Sequence, residues 1–92
     1  MVRVFVLYDE APDPARYAEH VVLCEQVAGA TFTHGPVFGA PRGEPAHRYY
    51  AAFDFADMDA FKAGAGSPEF AACGKDAAEM GVRFSVEFAN LS

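Results

Sequence analysis

Val2, Val4, Val6 and Tyr8 alternate with Arg3, Phe5 and Leu7, a two-residue repeat that is apolar on nearly both sides and predicts a central strand covered on both faces. The pattern then changes period. Tyr17, His20, Cys24 and Val27 recur at three, four and three residues, the seam of a helix that Asp13 caps, Pro14 opens and Gly29 ends. Thr31 to Phe38 carries a weaker strand signal, broken by Gly35 and Pro36, which suits an edge or a bulge because proline donates nothing to a ladder. The turn formers of Gly39 to His47 make a loop, so the strands on either side can pair as a hairpin. In the strand Arg48 to Phe55, Tyr49, Ala51, Phe53 and Phe55 share one face, and Tyr50, Ala52 and Asp54 the other. Asp57 caps a short helix with Met58 and Phe61 inward. Gly64-Ala65-Gly66 breaks it, and Ser67-Pro68-Glu69 starts a second half whose seam is Phe70, Cys73, Ala77 and Met80, closed by Gly81. Val82 to Phe88 alternates again and is the last strand.

The order βαββαβ with short connections predicts an α+β fold, the ferredoxin-like split βαβ: a four-stranded antiparallel sheet with both helices on one face, as a single domain over residues 1–92. The other face stays bare, with Phe5 and Leu7 on whichever side the helices leave open, and a second sheet from a partner copy would bury them. A homodimer through that face is expected. Hydrophobic residues are 52% of the chain, with nine Phe and four Tyr, more large apolar surface than one small core hides.

Seven Lys and Arg against thirteen Asp and Glu give a net charge of −6, which repels phosphate backbones and excludes nucleic acid as a partner. No run approaches the ~20 apolar residues needed to cross a bilayer, so neither membrane insertion nor export is expected. Cys24 and Cys73 each lie on a helical seam, where a thiol behaves as a small buried hydrophobe, and a reduced, cytoplasmic protein is the better reading than a disulfide scaffold. Three histidines without HxH or HxxxH spacing, and a Gly64-Ala65-Gly66 that does not follow a strand, predict no metal and no nucleotide cofactor.

His20 is the candidate catalytic residue. Its seam position puts an imidazole in the interior, where it could take or give a proton near neutral pH; the structural alternative is a ring satisfied by a backbone carbonyl or water. Tyr8, and one of Tyr49 and Tyr50, could hold a substrate oxygen in the same cavity. Tyr50 is favoured, because Tyr49 shares its face with Phe53 and Phe55, which could be the dimer side. Tyr17, Cys24, Phe61 and Phe70 complete the expected lining. Cys24 stands one turn beyond His20, where a thiolate–imidazole pair is conceivable but an inert buried thiol is the plainer reading. His34 and His47 are expected to face solvent. Asp57, Asp59, Glu19 and Glu25 read as caps and solvated charges.

Val6-Leu7-Tyr8, the stretch Tyr17-Ala-Glu-His20-Val-Val-Leu23 with Gly29 six residues on, Tyr49-Tyr50, and Ser67-Pro68-Glu69 together resemble the EthD family, over nearly the whole chain from Val2 to about Phe88. Val22 stands where members carry a proline. The resemblance implies a homodimeric α/β barrel with a pocket between helices and sheet, in a superfamily that includes cofactor-free monooxygenases and lactone isomerases. The expected function is binding of a small hydrophobic or aromatic metabolite, with His20 driving isomerisation or cofactor-independent oxygenation. The alternative is a non-catalytic accessory or metabolite-binding protein of an oxidative degradation pathway.

Overall fold

Seven elements follow one another in a computed structural model that describes all residues from Met1 to Ser92. They are β1 (Val2–Tyr8), α1 (Pro14–Cys24), β2 (Ala30–Pro36), β3 (Tyr49–Phe55), α2 (Met58–Ala65), α3 (Pro68–Glu79) and β4 (Phe84–Asn90). The strands form one antiparallel sheet in the order β2-β3-β1-β4, the ferredoxin-like arrangement, with the helices on one face.

The ends of the helices follow local chemistry. The Asp13 carboxylate accepts from the Arg16 backbone N–H at 3.0 Å, Asp57 from Ala60 at 2.8 Å and Ser67 from Phe70 at 3.2 Å, each satisfying a donor that the helix leaves orphaned. Pro14 and Pro68 take first-turn positions that need no donor. α1 ends at Cys24, five residues before Gly29, because the chain tightens there: Gln26 and Val27 donate back three residues, to Leu23 and Cys24. Gly29, at φ +79°, then turns the chain into β2.

β1 decides which face is which. Val2, Val4, Val6 and Tyr8 are buried under the helices, with Phe53 and Phe55 of β3 beside them, while Arg3, Phe5 and Leu7 point to the bare face. There Arg3 clasps Asp54 across the strands at 2.6 and 2.8 Å and lies over the Phe5 ring, and Phe5 meets Tyr50 edge to face. Met58, expected inward, is exposed at the start of α2, whereas Phe61 packs on Phe55 and Phe88. No helix is long and apolar enough to cross a membrane.

Two helical glycines are present for different reasons. A Cβ on Gly64 would lie 2.3 Å from the Phe55 ring, so α2 sits on the sheet only because no side chain intervenes; a Cβ on Gly74 of α3 meets nothing within 4 Å. Gly64→Ala should therefore lower stability by about 1–3 kcal/mol through overpacking. Gly74→Ala should raise it by about 0.5–1 kcal/mol through helix propensity alone. Thermal or urea denaturation of the two variants checks both signs.

Candidate functional site

A cavity of about 80 Å³ lies between the sheet and the helices. Its origin is a row of small residues. Ala51 of β3 stands beside Val6 of β1, which pairs in turn with Val86 of β4, and Cys73, Gly74 and Ala77 of α3 close over them. Aromatic rings on either side, Phe32, Phe53, Phe70 and Phe84, do not reach into the gap and leave it walled but unfilled. The space is smaller than the roughly 150 Å³ apolar cavity known to take a benzene, and it opens toward the edge where Val86 and Gly74 are exposed.

Two polar side chains line this apolar space and a third stands behind them, each brought by a different element. His20, 4% exposed, lines it from α1, and Tyr8 from the end of β1. Asp76 of α3 stands behind the imidazole: its Oδ2 is 2.8 Å from His20 Nδ1. Arg16, one turn before His20, grips the same carboxylate with both prongs, at 2.7 Å to Oδ1 and 3.1 Å to Oδ2. The Arg16 hydrogen bonds outweigh the cost of burial and, with the His20 bond, hold the Asp76 carboxyl below its ordinary range. Asp76 is thus an ionised acceptor, and the proton shared with Nδ1 belongs to the imidazole. In the neutral ring this leaves the lone pair on Nε2, the nitrogen that makes no hydrogen bond within the protein.

The tyrosines add a second device. Burial pushes the Tyr8 phenol up to about 12, so it remains a donor. Tyr17, whose ring lies 5.8 Å from that of Tyr8 and 5.4 Å from His20, is pushed higher still, first by burial and then by the neighbouring phenol. Its hydroxyl is sealed from solvent without a hydrogen-bond partner.

The expected lining residues divide. Tyr8, His20 and Phe70 line the cavity; Tyr17 backs it, and Cys24 is buried behind Cys73. Tyr50 corrects the expectation: it pairs with Leu7 on the bare face, and Tyr49, opposite Tyr8, is the tyrosine on the helix side. The aromatic run of β3 marks the covered face, not a dimer face. Phe61 also stands away from the cavity, against Phe55 and Phe88, because α2 lies before the helix break and covers a different part of the sheet. His34 is exposed as expected, its Nδ1 2.8 Å from the Tyr49 hydroxyl; His47 is half-buried. Asp76 and Arg16 were not among the predicted residues. Asp76 falls three residues after Cys73 and four before Met80, so a carboxylate on the inner seam was the available signal.

Neither protein-family models nor curated proteins match the chain. Solved structures do. An ethyl tert-butyl ether D (EthD) family protein from Bacillus halodurans is 20% identical and superposes with a TM-score of 0.81, covering 100% of this chain and 99% of its own. A dimeric ferredoxin-like protein of unknown function from Jannaschia sp. is also 20% identical, with a TM-score of 0.75 and 98% of each chain covered. SnoaB, a cofactor-independent oxygenase from Streptomyces nogalater, is 14% identical, with a TM-score of 0.63 over 99% of this chain and 92% of its own. The resemblance to the EthD family read from the sequence therefore holds at the level of fold.

The Asp76 ion pair has a pH signature. A carboxyl held low contributes stability that is whole above the ordinary carboxylate pKa of about 4 and is lost as the pH falls through its lowered value. Asp76→Asn should cost about 1 kcal/mol at neutral pH, the scale of a well-formed, partly exposed ion pair. The deficit should shrink toward zero below about pH 4. Urea denaturation from about pH 4 downward checks it; a deficit that stayed constant through that range would contradict the assignment.

Proposed function

We propose that the cavity receives the oxygen-bearing end of a small hydrophobic or aromatic metabolite and that His20 moves a proton on it. The observation that carries this reading is the 2.8 Å contact of His20 Nδ1 with Asp76 on a ring that lines an apolar cavity. With its Nδ1–H donated to the carboxylate, the ring offers the Nε2 lone pair to an acidic C–H or O–H, and Asp76 stabilises the imidazolium that results. The Tyr8 hydroxyl, still protonated, is the donor for the oxyanion that develops on the substrate. Return of the proton to a different carbon is an isomerisation.

The same substrate anion, in contact with dioxygen, supplies the electrons for a cofactor-independent oxygenation, and the likeness in fold to SnoaB supports that branch. We further place the working unit as a homodimer through the bare face of Phe5, Leu7 and Tyr50, in keeping with solved relatives in fold that are described as dimeric.

The experiment is carbon-bound hydrogen exchange on a 1,3-dicarbonyl probe, 2,4-pentanedione, in deuterated water, followed by NMR. The protein should accelerate exchange, and His20→Gln should remove about 100-fold or more of that acceleration. The melting temperature of this variant should change little, because Arg16 still satisfies both oxygens of Asp76. Stoichiometric binding of the probe without acceleration would favour the accessory, metabolite-binding reading. Equal loss of stability and activity would make His20 structural. For the assembly, sedimentation at micromolar concentration should give a dimer, and Leu7→Glu should give a folded monomer.

A further inference from the structure

The two cysteines take no part in this proton transfer. Cys24 follows His20 by four residues along α1, and Cys73 precedes Asp76 by three along α3, so the interface that joins His20 to Asp76 continues one turn on as thiol against thiol. Both are free and fully buried, at 1% and 4% exposure, within one apolar cluster. Their positions differ in one respect. Cys73 lines the cavity, beside the side-chain-free position at Gly74, whereas Cys24 lies behind it and does not.

A molecule that enters the cavity therefore meets one thiol first, with a second in reach behind it. Ten of the twelve lining residues are hydrophobic, so the guest space suits an organic reagent better than an ionic one. Interaction between the two thiols lowers Cys73 and raises Cys24, the division of labour that a nucleophile and a resolving thiol need.

We propose that Cys73 and Cys24 form a reactive dithiol site whose substrate is a small organic hydroperoxide. The Cys73 sulfur attacks the outer peroxide oxygen; the S–O bond forms, the O–O bond breaks, and the alkoxide leaves and takes up the thiol's proton as an alcohol. Cys73 is then a sulfenic acid, oxidised by two electrons, and the hydroperoxide has been reduced by two. The Cys24 sulfur attacks that sulfur; the S–S bond forms, the S–O bond breaks, and hydroxide leaves with the Cys24 proton as water. Two thiols and one hydroperoxide give one disulfide, one alcohol and one water.

The test is intact-mass analysis of the whole chain after one equivalent of cumene hydroperoxide, without reductant. The wild type should lose about 2 Da per chain and both free thiols, with no cross-link between chains. Cys24→Ser should stop at the sulfenic acid, a gain of about 16 Da that dimedone captures at Cys73. Cys73→Ser should show neither change, and Cys73→Ala, with circular dichroism to confirm folding, guards against a serine that fails to pack. Cys24→Ser should still accelerate the exchange of 2,4-pentanedione, so the loss of proton transfer and the loss of this site are read separately. The proposal is overturned if the folded wild type reacts no faster than the guanidinium-unfolded chain, where about a tenfold advantage is expected. A disulfide between chains, or a Cys73→Ser variant that reacts like the wild type, would overturn it equally.

Discussion

Asp76 is the point through which the two long helices are joined. One carboxylate accepts two hydrogen bonds from Arg16 and one from His20, all across the contact of α1 with α3. Remove its charge and the imidazole loses the partner that sets its tautomer, while the guanidinium loses the acceptor that holds it in place. The same contact aligns the two helices, and through them the side chains that close over the sheet. A partly exposed ion pair is a modest source of stability, and its larger effect here is orientation: it leaves the ring a single unpaired nitrogen.

The sheet supplies the complementary half. Small side chains at Ala51, Gly74 and Ala77 create the space, and Tyr8 brings a protonated phenol to its wall. Tyr17 is buried behind Tyr8 with an unanswered hydroxyl.

Much of this was readable from the chain because the signals were local. Alternation at Val2 to Tyr8, the caps at Asp13 and Ser67 with the prolines after them, and the seam position of His20 depend on neighbours a few residues away. Asp76 was not readable in that way, since a carboxylate within a helix looks like any solvated charge until the helix opposite is known, and its partner His20 lies 56 positions away. The choice between Tyr49 and Tyr50 failed for a related reason. Strand alternation separates two faces but does not say which one the helices cover, and only the pairing of Tyr49 with the buried Tyr8 settles it. Phe61 was rightly read as an inward residue of a helix, but whether it met the cavity depended on where that helix lay over the sheet.

The outermost strand on the cavity side has an unusual surface. Val86 and Phe88 of β4 are 44% and 61% exposed although they point to the same face as the core valines of β1, because the helices cover this edge strand only in part. The cavity is thus enclosed where His20 and Tyr8 stand and continues into an open apolar strip along β4. An apolar strip on an edge strand, whose outer backbone groups are unpaired, is the part of the surface with most to gain from being covered.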